Sequence, residues 1–185
     1  MQSKEDYERL LKDIKLEFPD FEIIKKQQSS FMKFLDVCLK AITLGQMKNF
    51  MTSFITTIGN KMYVTEAWDS RSVSTKAITI RHERVHMRQS KKYGKFLFSF
   101  LYLLAPLPTV LAYYRTLFEK EAYAESLKAY HEYYGTKFFT QALKNDIVSH
   151  FTSAEYVWMW PWKNSIEKWY DDVIADITKN SHQRK

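Results

Sequence analysis

Residues 78–90 read ITIRHERVHMRQS and set two histidines, His82 and His86, four positions apart, with Glu83 next to the first. On a helix, side chains four apart differ in direction by only about 40°, so both imidazoles leave one face and can reach one ion. Neutral imidazole nitrogens at that spacing suit zinc. Glu83, one position round the helix, lies beside such an ion rather than on it, where its carboxylate could take a proton from an attacking water. The spacing therefore supplies two ligands and a base. Arg81, Arg84 and Arg88 make a basic stripe offset from the histidines, so one helix can carry both characters.

A catalytic zinc takes a third protein ligand and keeps a further position open. The candidates lie downstream in TLFEKEAYAESLKAY, residues 116–130, which holds Glu119, Glu121 and Glu125. Glu119 has Arg115 four residues before it and Tyr123 and Ser126 on its side, the surroundings of an ordinary solvated carboxylate. Glu125 has Lys128 three residues on and can be neutralised locally. Glu121 instead neighbours Leu117, Phe118, Ala124 and Glu125, so it is expected to be partly buried and to need a cation from elsewhere. Glu121 is the expected third ligand, with Glu125 supporting it from behind or substituting for it.

The elements between must return Glu121 to the histidines. The stretch FLFSFLYLLAPLPTVLAYY, 96–114, carries no charge and is about as long as a membrane-spanning helix. A single span would leave the histidines and Glu121 on opposite sides of a bilayer. Pro106 and Pro108 bias Ala105 and Leu107 away from helix, which predicts a turn over 104–109 and a helical hairpin that brings 115–127 back antiparallel. Peripheral membrane contact through 96–114 is the other use open to this stretch.

Upstream, Tyr7, Leu10, Leu11 and Ile14 predict an amphipathic helix over the first 16 residues, ended by Pro19, followed by a short strand at 21–24 and a helix over 30–44. Two β-prone runs at 49–58 and 61–67, separated by Gly59-Asn60, read as a hairpin. Helices are expected over 74–93, 109–134 and 136–150, with Gly94 and Gly135 as stops. Ile166, Trp169, Tyr170, Val173, Ile174 and Ile177 mark a last amphipathic helix, and Trp158, Trp160 and Trp162 are expected to pack into a core.

The 185 residues, 45% of them apolar, suit one globular domain over 1–185, with a metal-site core at about 49–130 and a helical C-terminal part over 136–180. A net charge of +7 favours acidic partners, but no run of five or six like charges marks a nucleic-acid arm, so nucleic acid is not an expected partner. Four glycines and no Gly-rich loop leave no phosphate or dinucleotide fingerprint. The single Cys38 and a first segment without an apolar signal-peptide core lead us to expect a cytoplasmic protein.

His82-Glu83-Arg84-Val85-His86, followed 35 residues later by Glu121-Ala122-Tyr123-Ala124, resembles the gluzincin branch of the zinc metallopeptidases, with its HExxH helix and later glutamate helix. The resemblance implies a zincin-like α+β fold, mostly helical, with a small β-hairpin before the HExxH helix and a helical hairpin after it. It implies one Zn2+ ion held by His82, His86 and Glu121, with Glu83 as general base in peptide hydrolysis by a metal-activated water. A peptide or protein substrate, an acidic one on the charge balance, would bind as an added strand at a sheet edge. Tyr123, His131 and His150 are the candidates for stabilising an oxyanion. The alternative, from another class, is a non-catalytic metal-stabilised or membrane-peripheral interaction protein that uses the apolar hairpin for docking.

Overall fold

In the first helix, α1 (Lys4–Glu17), Tyr7, Leu10, Leu11 and Ile14 do form the inward stripe their spacing predicts, and Glu5 and Asp6 in the first turn complement the helix dipole. The computed structural model describes residues 4–42, 45, 48–103, 111–153, 160 and 162–182. Among these are seven α-helices and a three-stranded sheet, a mostly helical α+β architecture. They cluster into two compact units, 1–87 and 88–185.

In the first unit the chain runs through α1, β1 (Glu22–Lys25), α2 (Ser30–Ile42), β2 (Thr56–Ile58) and β3 (Lys61–Val64). The Gly59-Asn60 turn closes the β2–β3 hairpin, and Gly59 takes the positive φ of 61° that such a tight turn requires. The strands are shorter than their composition suggests, since residues 49–53 form turns. β3 lies in the middle: β1 pairs with it in parallel, Ile23 opposite Met62, and β2 pairs with it antiparallel.

Alternation along the strands then divides two cores. Met62, Val64 and Ile23 face Ile14, Phe18, Phe21, Trp68 and Ile80. Tyr63 and Ile24 face Met32 and Phe50, with Leu35 and Leu39 of α2 behind them.

Lys26, directly after β1, is wholly buried. Its Nζ donates to the Phe50 carbonyl oxygen at 2.7 Å and sits 3.6 Å from the centre of the Phe50 ring. Burial pushes its pKa down to about 8, against the upward pull of the Asp36 and Glu83 carboxylates.

In the second unit, α4 (Lys95–Leu103) and α5 (Leu111–Tyr134) form the helical hairpin. Phe98 meets Phe118 with ring centres 5.1 Å apart, and the Arg115 guanidinium lies 5.2 Å from the Tyr102 ring centre, so contacts run backward along α5 as they run forward along α4. The Pro106 and Pro108 turn falls outside the described residues. No helix among the described residues is long and apolar enough to cross a membrane.

Two C-terminal helices complete this unit, α6 (Gln141–Thr152) and α7 (Lys163–His182). The expected helix over 136–150 begins late because the Thr140 hydroxyl caps α6 by accepting from the Leu143 amide, leaving 136–138 as a single 3-10 turn. Leu127, Ile147, Val148, Phe151, Ile166 and Tyr170 form the core, with Trp160 packed on it. Trp162 is mostly exposed, and Trp158 lies outside the described residues.

The unfolded chain holds the Lys26 proton into the ordinary lysine range, whereas the folded chain releases it near pH 8. Between those limits the unfolded state binds more protons, so this residue makes stability rise with pH. Urea unfolding of the wild type and Lys26→Met is expected to show the wild type gaining up to about 3 kcal/mol relative to the variant between about pH 7 and about pH 10. A difference that stays constant with pH would mean that the amine is not desolvated.

Candidate metal centre

Helix α3 (Val73–Tyr93) carries the histidine motif. It starts where the Ser72 hydroxyl accepts from the Thr75 amide, a serine N-cap, and it stops at Gly94 in the left-handed region, φ 83°. Ala77, Ile78, Ile80, Val85 and Met87 bury it on several sides, and Glu83, His86, Gln89 and Ser90 are buried with them. Arg84, which in sequence belongs to a solvated stripe, is half-buried, and its Nε donates to Glu17 of α1 at 2.7 Å. An arginine can thus occupy the motif while the helix stays buried.

The helical spacing brings the imidazoles together as anticipated. The Nε2 atoms of His82 and His86 lie 3.2 Å apart, with the rings edge-to-face at 75°. Two nitrogens bound to one zinc at about 2.0–2.1 Å and a tetrahedral angle would stand roughly 3.3 Å apart, so the pair fits the ion. Lone pairs converging at that separation repel unless a proton or a cation lies between them.

The third carboxylate brought to the pair is Glu119. Ligand atoms of His82, His86 and Glu119 all lie within 4.8 Å of one another, so this group could hold a metal ion. Glu119 is only 6% exposed and accepts a hydrogen bond from the Tyr102 hydroxyl of α4. Such a partner orients a carboxylate and tunes it as a ligand. Glu83 is 8% exposed and lies within the electrostatic reach of Lys26, which puts a buried positive charge near the candidate base.

Two expectations about these carboxylates are therefore corrected. Glu119 is buried rather than solvated, and Glu121 is exposed rather than partly buried. Glu121 is also engaged elsewhere: it accepts from Gln89 Nε2 at 2.8 Å, and the same amide donates to the Phe118 carbonyl oxygen at 3.1 Å. The expectation failed because it weighed only neighbours on the same helix, whereas Tyr102 and Gln89 come from α4 and α3.

Glu125 keeps its local partner, Lys128, at 3.9 Å. Tyr123 stacks on His150 at 5.5 Å and packs against Phe151, while His131 stacks on Phe139, so these three rings belong to the packing around the C-terminal core.

Gln89, Tyr102 and Lys26 escaped the sequence reading altogether. For Glu119 a signal was present, since Glu119-Lys120-Glu121-Ala122 has the ExxA spacing as well as Glu121 to Ala124 does. The small Thr116, Ala122 and Ser126, all buried, flank Glu119 at intervals of three and seven. Comparison of the chain with family models, curated proteins and solved structures gives no match.

Glu119→Gln is expected to weaken zinc binding by about 100-fold or more, and Glu121→Gln by much less, in competition against a chromophoric chelator. Equal losses, or the reverse order, would remove Glu119 from the ligand set. Binding should also weaken on acidification, because a protonated imidazole has no lone pair to offer.

Proposed function

We propose that this chain is a zinc-dependent metallopeptidase in which His82, His86 and Glu119 hold the ion and Glu83 is the general base. What carries the reading is the convergence of two imidazoles and a buried carboxylate within 4.8 Å, with a second buried carboxylate one residue from the first histidine. When bound, zinc supplies Lewis acidity, which polarises a substrate carbonyl and makes a nearby water easier to deprotonate.

The chain's own residues account for the other tasks. Glu83 accepts the proton of the attacking water and delivers it to the leaving amine. Lys26, itself wholly buried, interacts electrostatically with Glu83. Tyr102 orients Glu119 through its hydroxyl. Among the described residues β3 is paired on both sides and β2 is the hairpin strand with an open edge, where an extended peptide would add through backbone hydrogen bonds.

The zinc-loaded protein is expected to cleave an unfolded polypeptide, and a chelator to stop it. Glu83→Gln should lower the cleavage rate by about 10²- to 10⁴-fold while zinc content stays unchanged. Undiminished cleavage by Glu83→Gln, or a wild type that takes up no zinc, would overturn the proposal.

A further inference from the structure

One face of α4 is used inside the molecule, where Phe98 packs on Phe118 and Tyr102 reaches Glu119. The other face is apolar too. Phe96 is 94% exposed, Leu97 50% and Phe100 55%, and their spacing puts them on one stripe. Just before them Tyr93 is 40% exposed, and Lys91, Lys92 and Lys95 are exposed around it. The result is a projecting apolar ridge with a cluster of cations at its N-terminal end.

The sequence around the ridge is electrostatically one-sided. Between Glu83 and Glu119 there is no aspartate or glutamate, while Arg88, Lys91, Lys92, Lys95 and Arg115 fall in that interval beside Arg84, which is ion-paired with Glu17. Such a segment attracts an anionic surface. α4 has nine residues, roughly 13 Å of helix, well short of the roughly 30 Å hydrocarbon core of a bilayer. Those nine described residues are long enough to lie along an interface.

We propose that the exposed face of α4, with Lys91, Lys92 and Lys95 beside it, docks this protein on an anionic lipid bilayer. The phenylalanines and Leu97 enter the boundary between headgroups and acyl chains, and the lysine ammonium groups stay at headgroup level on their flexible stems. A nucleic acid would match the charge, but Leu97 has no ring on which a base could stack. A second copy of this chain would offer the lysines no anionic complement from the same stretch, since residues 84–118 hold no carboxylate.

The test is flotation of the full-length protein with vesicles of phosphatidylcholine alone and of an equal mixture with phosphatidylserine. Binding is expected only to the mixture and should weaken as salt is added. Phe96→Ser combined with Phe100→Ser should reduce it by about ten-fold or more. Lys92→Glu combined with Lys95→Glu should do the same without touching the apolar ridge. All four positions are exposed, so melting temperature and zinc content should match those of the wild type, which keeps this result separate from the metallopeptidase reading. Equal binding to both vesicle types would overturn the proposal, as would a serine double variant that floats like the wild type. So would a dimer in vesicle-free buffer that Phe96→Ser dissociates, because the ridge would then be covered by a second copy.

Discussion

Each polar side chain that helix α3 carries inward has to find a partner, because burying an unmet donor or charge costs more than a single good contact returns. Arg84 meets Glu17, which ties the helix to α1. Glu83 lies in the field of Lys26, whose ammonium donates to the Phe50 carbonyl oxygen. Gln89 spends both of its amide hydrogens on α5. The histidines face each other, with their Nε2 atoms 3.2 Å apart. A helix that looks too polar for a core is thus positioned by its polarity.

The two cores of the first unit depend on the same economy of directions. The sheet separates Met62 and Val64 from Tyr63 by simple alternation, and this lets a four-residue strand serve α1 on one face and α2 on the other. The short strand suffices because it is paired along both edges. Lys26 sits at the end of β1 among the second set of side chains, where its aliphatic stem is as useful as its charge is costly.

What could be read from sequence is what depends on neighbours along the chain. The stripe of α1 and α7, the Gly59-Asn60 hairpin and the shared face of His82 and His86 all follow from local period and turn chemistry, and all are present. Lys26 could not be read, because nothing near it announces that the Phe50 carbonyl will cover its amine. Glu119 was misjudged for a related reason. Arg115 stands at the spacing of a helical ion pair, but the burial of Glu119 is decided by Tyr102 on the preceding helix. Periodicity reports which faces are apolar; it does not report which polar residue a distant phenol will accompany inside.

The two offset ExxA patterns of α5 carry a geometric consequence. Carboxylates two positions apart leave a helix about 200° from each other, nearly back to back. Glu119 and Glu121 therefore cannot share one duty or trade it through side-chain rotation alone. Exchanging them would require the whole of α5 to roll about its axis by half a turn. Gln89 opposes that roll, since its amide holds a backbone oxygen and a side-chain oxygen of α5 at once. Which carboxylate faces the histidine pair is in this sense an angular setting of one helix, and a neutral glutamine is the catch that holds it.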